Sequence, residues 1–186
     1  MDGDLFTVLK KVVGFLETGK YRYAIIGGLA LSHWGVIRLT QDIDIKMSVP
    51  NMEYAEIRNT IRAVFPQIAS SQVIDNPLIV AVEVDGIVVD FLLALPGYEE
   101  NIIDRAARRD FGGWNAWVCS AEDLIIQKVT ASRPKDWSDV EGLLVEQRGR
   151  LDYDYIEEWL LQFADALEKP EIFQEYRKLF EKIENI

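Results

Sequence analysis

Two aspartates separated by one residue are the feature of this sequence with the clearest chemical meaning. Asp42 and Asp44 belong to the run Asp42-Ile43-Asp44-Ile45, in which acidic and apolar residues alternate as they do in a half-buried β-strand. Side chains alternate across a strand, so both carboxylates are expected on one face, roughly 7 Å apart. Such carboxylates repel each other unless a positive charge lies between them. A divalent cation is the simplest such charge, and Mg²⁺ prefers carboxylate oxygens and retains waters that a phosphate can replace.

A pair of glycines precedes this strand. Residues 22–26 are predicted to form an apolar strand that leads into Gly27 and Gly28, where the absence of side chains allows a sharp turn and the close approach of a ligand. A short helix is predicted next, ending near Gly35, so its first N–H groups would lie beside the turn and favour a phosphate. The alternative interpretation is a tight turn followed by an edge strand with solvated acids.

A third acidic residue stands in another predicted strand. The runs 78–84 and 87–93 are joined by Asp85-Gly86, a strong signal for a β-hairpin turn. Asp90 has six apolar neighbours in the second run, and an acid buried among them is costly unless it is paired or binds a metal. Asp90 is therefore the candidate third carboxylate, and Glu83 in the first run is the competing choice.

The order of these features resembles the nucleotidyltransferase superfamily that includes DNA polymerase β. Its members have a glycine turn, then an Asp-x-Asp strand, then a third carboxylate on a neighbouring strand. The stretch from Gly27-Gly28 to Asp44, with Arg38 and Thr40 between them, is most similar to the minimal AbiEii-like bacterial and archaeal members, although the family often has Gly-Ser at the glycine pair. The resemblance implies an α/β (α+β) nucleotidyltransferase fold: a small mixed β-sheet flanked by helices, with a helical C-terminal tail.

The resemblance also implies a reaction. A nucleoside monophosphate would be transferred from an NTP to an acceptor hydroxyl, with release of pyrophosphate. Asp42, Asp44 and Asp90 would hold two Mg²⁺ ions, with Mn²⁺ as an alternative, about 3.5–4 Å apart. Asp90 is the candidate general base for the acceptor hydroxyl. Gly27 and Gly28 would contact oxygens of the β- and γ-phosphates.

Further residues are assigned to nucleotide binding. Arg38 lies in the loop before the Asp-x-Asp strand, where an arginine can pair with a carboxylate or bind a phosphate through two hydrogen bonds; the alternative is a surface arginine. By the resemblance, Thr40 belongs to the nucleotide site and Lys128 would face the phosphates, with Asp136 or Asp139 supporting the site. The alternative for Lys128 is an exposed helix residue.

Two other features carry weaker signals. Residues 98–109 are predicted to form a polar helix with Arg105, Arg108 and Arg109 at its end. A solvated helix face is the usual meaning of such a charge run, and a contact for an anionic acceptor or for the triphosphate is the alternative. His33, the only histidine, is more consistent with a structural role than with a catalytic one.

Charge and composition restrict the partners and the location. A formal net charge of −11 and an isoelectric point near 4.6 argue against a broad nucleic-acid-binding surface. Cys119, the one cysteine, excludes an intramolecular disulfide and a cysteine-built metal site. No apolar run is long enough to span a membrane, and the first residues lack a signal-peptide pattern. A cytoplasmic protein without membrane partners is therefore expected.

Hydrophobic periodicity predicts the elements that position these residues. An amphipathic helix at residues 4–17 is expected to cover the sheet. Ser120 is predicted to cap a helix that carries Lys128, with Asp123 at the third helical position, and Asp136 is predicted to cap the next helix.

The last part of the chain is predicted to be helical. Amphipathic segments at 139–147, 153–167 and 171–184 resemble a cap of helices. We therefore expect a nucleotidyltransferase domain at residues 1–145, including the first helix, and a helical extension packed on it at residues 146–186.

The acceptor stays open at the level of sequence. It is tRNA or another RNA, a protein, or, in an antibiotic-type enzyme, a small molecule; acidity mildly disfavours RNA, because each phosphate contact needs a cation. The AbiEii-like resemblance implies the toxin of a toxin–antitoxin pair, with an antitoxin protein as partner. The rival interpretation is a catalytically inert nucleotidyltransferase-fold binding module, against which the complete set of three carboxylates argues.

Overall fold

The computed structural model of the protein describes residues 4–67 and 76–185. Their contacts divide the chain into two compact units, each built from two separate segments. The first unit contains the residues up to Leu29 together with Leu39–Cys119, and the second contains Ala30–Arg38 together with the residues from Ser120 onward. The functional division expected after residue 145 stays a prediction.

The first unit contains a β-sheet and the helices that flank it. The strands are β1 (Tyr23–Ile25), β2 (Asp42–Met47), β3 (Ile79–Val84), β4 (Ile87–Leu93), β5 (Ala107–Asp110) and β6 (Asn115–Val118). The helices are α1 (Leu5–Thr18), α3 (Tyr54–Val64) and α4 (Tyr98–Asp104), together with a 3₁₀ turn at Pro50–Met52 and the start of α2 (Gly27–His33), inside which the division between the units falls.

The six strands form one mixed sheet in the order β3-β4-β2-β1-β6-β5. The central strand β2 pairs in parallel with β4 and antiparallel with β1, and β1 pairs in parallel with β6. This is the mixed sheet flanked by helices that the sequence predicted, and the central position of β2 surrounds the Asp-x-Asp strand with paired backbone on both sides.

Alternation along β2 separates a core face from a polar face. Ile43 and Ile45 are fully buried, whereas Asp42 is exposed and Asp44 is half-buried. Helix α1 covers the core face, where the ring of Phe15 meets Phe91 edge-on with centroids 6.3 Å apart. Both the alternation and the covering helix were predicted, and burial of the apolar face is what fixes the strand's register.

The hairpin between β3 and β4 is also as predicted. Val84 pairs with Ile87, so Asp85 and Gly86 are the two turn residues. Both have positive φ, 51° and 85°, as the favoured two-residue hairpin turns require.

The helix predicted at residues 98–109 is wrong in its second half. Helix α4 ends at Asp104, and the chain then forms β5, where Arg108 pairs with Trp117 and Arg109 with Ala116. Backbone pairing with β6 outweighs the helical propensity of the arginines, because it supplies the hydrogen bonds that a helix would have made. Neighbours on a strand point to opposite faces, so these arginines do not form one basic surface.

Arg108 is engaged within the first unit. Its guanidinium lies 5.7 Å from the centre of the Trp117 ring and 3.7 Å from a carboxylate oxygen of Glu17. A cation stacked and paired in this way is less available to an anionic acceptor than the sequence suggested.

The second unit is helical. It contains the end of α2 and the helices α5 (Ala121–Ala131), α6 (Pro134–Glu146), α7 (Tyr153–Ala166) and α8 (Pro170–Glu184). The predicted helical tail is confirmed. Among the described helices of both units, none is sufficiently long and apolar to cross a membrane.

The caps of α5 and α6 test two predictions. Ser120 caps α5 as predicted: its Oγ accepts the backbone N–H of Asp123 at 3.0 Å. The prediction that Asp136 caps the next helix is wrong, since α6 begins at Pro134 with Arg133 as its N-cap. Proline favours the first helical position, which moves Asp136 to the third position, where its carboxylate accepts the Arg133 backbone N–H at 3.3 Å.

Candidate active site

Two of the three predicted carboxylates lie side by side on neighbouring inner strands of the sheet in the first unit. In the parallel pairing of β2 with β4, Asp44 is opposite Asp90, and Asp42 is opposite Val88. Opposed residues project from the same face of a sheet, and neighbouring strands lie about 4.8 Å apart. The backbone therefore brings Asp42, Asp44 and Asp90 to one face.

Asp90 is half-buried, and its immediate neighbours Val89 and Phe91 are fully buried on the opposite, core face. Alternation along β4 therefore directs these two apolar side chains away from Asp90. One oxygen of the Asp90 carboxylate, Oδ1, is nevertheless buried, as the sequence predicted for an acid in this run. The polar face on which Asp90 lies is the one that also carries Asp42 and Asp44.

The carboxylates of Asp42, Asp44 and Asp90 have the chemistry and the strand positions that a divalent ion requires. Hard cations are bound by carboxylate oxygens, and the three acids occupy adjoining positions of one face. Within the part of the chain that the structure describes, however, no three Asp, Glu, His or Cys side chains converge into a metal-binding group. Asp42 instead accepts a hydrogen bond from Thr40 Oγ1 at 2.8 Å.

The glycine turn packs directly against this carboxylate strand. Gly27 has φ of +64°, and a Cβ at this position would collide with Oδ2 of Asp44. A Cβ on Gly28 would lie 2.7 Å from Cβ of Thr40. Just before the turn, the N–H of Ile26 donates to the carbonyl of Asp44 at 3.0 Å. Both glycines are therefore needed where the turn meets the strand.

The second glycine has a specific neighbour. Many members of the superfamily that the sequence resembles have serine at the position of Gly28. Here the space beside this residue is filled by the side chain of Thr40, whose hydroxyl donates to Asp42. A hydroxyl is thus present next to the turn, but it comes from the loop before β2.

Glu83, the competing third carboxylate, has a local partner. It lies opposite Val88 on β4, and its Oε1 accepts a hydrogen bond from Gln67 Nε2 at 2.9 Å. Asp90, which is directly opposite Asp44, has the better position for a role shared with Asp42 and Asp44.

Sequence reasoning missed a buried lysine on the same strand face. Lys46 follows Asp44 by two residues, is only 5% exposed, and its Nζ donates to Oε1 of Glu99 at 2.6 Å. Glu99 lies in the first turn of α4, and its Oε2 accepts the N–H of Leu95 at 2.7 Å. The signal in the sequence was the spacing of Asp42, Asp44 and Lys46, which continues the period-two pattern of the face.

The second unit contains a buried network of charges around Lys128. This lysine is 7% exposed, and its Nζ donates to Asp139 at 2.8 Å and to Asp136 at 3.2 Å. The alternative of an exposed helix residue is therefore wrong. Arg38 Nη1 donates to Asp139 at 2.5 Å, and Arg133 Nε donates to Asp136 at 2.6 Å.

The charges of this network keep Asp136 ionised. Burial by itself raises the pKa of Asp136, but the hydrogen bonds and positive charges of Arg133 and Lys128 outweigh it, so the pKa lies below its ordinary value. Three cations donate to two carboxylates, which fixes the positions of Lys128 and Arg38 within the second unit.

His33 ends α2 in the second unit. Its ring meets Trp34 edge-on, with centroids 5.6 Å apart. This contact is consistent with the structural role predicted for it.

Comparison with known proteins agrees with this geometry. A family model described as "Nucleotidyltransferase of unknown function (DUF6036)" matches residues 3–185. No curated protein matches the sequence.

Solved structures share the fold at low sequence identity. The antibiotic-resistance factor ANT(2'')-Ia in complex with adenylyl-2''-tobramycin is 17% identical, with a TM-score of 0.59 over 87% of this chain and 97% of that chain. A solution structure of the same factor has a TM-score of 0.57 at 17% identity, over 92% and 97% of the two chains. An antigenic nucleotidyltransferase-like protein from Paracoccidioides brasiliensis is 14% identical, with a TM-score of 0.55 over 92% and 91%. At these identities the likeness shows the fold alone.

Proposed function

Because the chain belongs to this family of nucleotidyltransferases, we propose that it transfers a nucleoside monophosphate from an NTP to an acceptor hydroxyl and uses Mg²⁺ as its cofactor. The observation that carries the proposal is the pairing of Asp44 with Asp90 on the strand face that also bears Asp42. In a nucleotidyl transfer, a negatively charged triphosphate must bind next to these negatively charged aspartates. Positive charges between the two are required to hold the triphosphate there.

The three aspartates and the two glycines have separate roles in this proposal. Asp42, Asp44 and Asp90 would hold Mg²⁺, with Mn²⁺ as an alternative ion. The chemistry that the bound ion supplies is a lower pKa for the acceptor hydroxyl and compensation of charge on the pyrophosphate. Asp90 accepts the hydroxyl proton at a carboxylate oxygen. Gly27 and Gly28 leave room for phosphate oxygens close to the backbone.

Lys128, Arg38 and Thr40 are proposed to contact the nucleotide. The evidence that favours Lys128 and Arg38 is that both donate hydrogen bonds to the same carboxylate, that of Asp139. A shared buried carboxylate holds each donor in one orientation, so less side-chain entropy is lost when a phosphate binds. Thr40, in the loop before β2, would direct its hydroxyl at the nucleotide.

For the acceptor, we propose RNA, including tRNA, or a protein, with the chain acting as the toxin of a toxin–antitoxin pair that has an antitoxin protein as its partner. The support is the AbiEii-like pattern from Gly27 to Asp44. A small cationic acceptor is the second candidate. It is favoured by the net charge of −11 and by the division of Arg108 and Arg109 between two strand faces. One structural neighbour was solved in complex with the adenylylated small molecule adenylyl-2''-tobramycin.

The test is transfer of label from each of four α-labelled NTPs, with Mg²⁺ and a cell lysate, followed by separation of RNA, protein and small molecules. Label in RNA or protein supports the first acceptor class, and label in a small cationic product supports the second. In parallel, the melting temperature is measured with NTP and Mg²⁺ together and with NTP and EDTA. Binding at a hundredfold excess over Kd stabilises the fold by about 2.7 kcal/mol. Ion-dependent NTP binding without any labelled product would instead favour an inert binding module.

A further inference from the structure

Lys46 is a buried charge in the middle of the sheet. In β2 it lies between Ala24 of β1 and Leu92 of β4, both of them apolar. The Lys46 side chain is buried, whereas that of Glu99 is 33% exposed. Because the lysine loses its hydration, an ion pair at such a position is often no more stable than apolar residues of similar volume. A contribution to fold stability is therefore a weak explanation for the presence of this ion pair. The position of the pair suggests a functional explanation instead.

The pair lies next to the carboxylates of the same strand face. Lys46 and Asp44 are two residues apart, which places their Cα atoms roughly 7 Å apart on that face. The ammonium group of Lys46 is carried by the same strand face, and its positive charge opposes a divalent cation at Asp44 and Asp90. Glu99 counteracts it, since its Oε1 binds the lysine Nζ at 2.6 Å.

The orientation of Glu99 is fixed from its other side. Its second oxygen, Oε2, accepts the backbone N–H of Leu95 at 2.7 Å. Only one carboxylate oxygen is thus directed at Lys46, and the ammonium group is held by the helix that begins at Tyr98.

We propose that Glu99 is a positioning residue for the carboxylate site. By holding and neutralising Lys46, it preserves the negative potential that Asp42, Asp44 and Asp90 present to a divalent cation. This inference rests on the proposed function and deepens it, because it names a pair of residues outside the three acids that sets their affinity for the ion.

The test measures Mn²⁺ binding alone, by calorimetry without NTP, in the full chain. Glu99→Gln retains the size of the side chain and an oxygen for the Leu95 N–H, but leaves Lys46 charged and uncompensated. We expect the Kd for Mn²⁺ to rise by about three- to tenfold, as a unit charge near the site requires at intermediate effective dielectric. Asp104→Asn is the matched control, because it removes the same charge from the same helix, where Asp104 pairs with exposed Arg22. It is expected to change the Kd by less than about twofold.

Two further variants separate charge from shape. Adding Lys46→Met to Glu99→Gln removes the uncompensated cation, so the affinity is expected to return to within about twofold of the original value. Glu99→Asp retains the charge and is expected to bind Mn²⁺ more tightly than Glu99→Gln. An unchanged Kd in Glu99→Gln, or a double variant that binds as weakly as the single one, would overturn the proposal. If Glu99→Gln does not fold, Lys46→Met alone decides: it leaves the negative charge of Glu99 uncompensated, so a lower Kd for Mn²⁺ supports charge balance and an unchanged Kd overturns it.

Asp44→Asn distinguishes failure of this inference from failure of the proposed site. Loss of Mn²⁺ binding in Asp44→Asn together with an unchanged Kd in Glu99→Gln would overturn only the role of Glu99. Absence of Mn²⁺ binding in the wild-type chain, or binding that Asp44→Asn does not weaken, would overturn the carboxylate site and this inference together.

Discussion

Asp44 and Asp90 lie directly opposite each other in the parallel pairing of β2 with β4. Like charges at opposed strand positions destabilise a sheet. Both acids lie on neighbouring inner strands of the sheet, so both contribute negative charge to the same small area of its polar face.

The first prediction follows from this pair. Asp90→Asn retains the shape of the side chain and removes one charge. Without metal we expect the free energy of unfolding to stay constant or to rise by about 0.2–1 kcal/mol, because repulsion with Asp44 falls. Transfer activity should drop by at least about a hundredfold, since the proposed general base is lost. Urea denaturation and a labelled-NTP transfer assay measure the two effects.

Glu83→Gln is the control for Asp90. Because Glu83 accepts a hydrogen bond from Gln67, its substitution is expected to leave turnover near the wild-type value. If Asp90→Asn instead unfolds the metal-free protein while Glu83→Gln abolishes transfer, the roles of the two acids are reversed.

The second prediction concerns the glycine turn. A Cβ on Gly28 meets Thr40 Cβ at 2.7 Å, so Gly28→Ala is expected to lower the free energy of unfolding by about 1–3 kcal/mol, the usual cost of an overpacked contact. Gly14 lies within α1, and a methyl group added there would have no neighbour within 4 Å. Gly14→Ala should raise the free energy of unfolding by about 0.5–1 kcal/mol through higher helix propensity. Opposite signs in urea denaturation support the packing; two stabilising results contradict it.

The third prediction concerns acid stability. The pKa of Asp136 is lowered in the folded state, because the effects of Arg133 and Lys128 outweigh that of burial. A lowered pKa stabilises the fold above the unfolded value of about 3.9, and this contribution is lost as the pH falls through the folded value. Asp136→Asn should therefore cost about 3 kcal/mol at pH 7 and flatten the loss of stability below about pH 4. Urea denaturation from pH 3 to 7 is the measurement, and parallel curves for the two proteins would contradict it.

The fourth prediction compares two tyrosines of the second unit. Tyr176 is fully buried, and among the described residues its hydroxyl has no hydrogen-bond partner. Tyr176→Phe is expected to leave stability unchanged or to raise it by about 1 kcal/mol, since an unsatisfied polar group is removed. Tyr155→Phe is the matched variant: it removes a hydroxyl that donates to Asp123 at 2.8 Å and should destabilise by about 1–3 kcal/mol. The two variants are compared by thermal unfolding. An equal loss of stability in both would contradict the prediction and indicate that the Tyr176 hydroxyl has a hydrogen-bond partner.

Local patterns in the sequence were sufficient for much of the first unit. The alternation of Asp42 to Ile45 predicts a strand with one acidic face, because the side-chain period of a strand is two. The pair Asp85-Gly86 predicts the hairpin, since its positive φ angles are accessible to few other dipeptides. Both signals lie within a few residues of the structure that they specify.

The remaining features depend on contacts between distant residues. Arg108 and Arg109 are in a strand because β6 pairs with them, and tertiary pairing overrides local propensity. Lys46 and Glu99 are 53 residues apart in the chain, so the local sequence around one of them does not predict its pairing with the other. Lys128 has a helical neighbourhood typical of an exposed lysine, and it is buried because α5 packs against other helices, among them α6, which carries its partners Asp136 and Asp139.

The second unit is assembled from pieces that are synthesised at different times. Its first piece, Ala30–Arg38, precedes Ser120 by roughly 80 residues, which at about 5–20 residues per second corresponds to a delay of about 4–16 s. During this interval Ala30 and Leu31, both fully buried in the folded protein, have none of their later helices available. The nascent chain therefore carries a short apolar segment that is not yet buried, and a chain that ends before Ser120 would leave this segment accessible to chaperones and proteases.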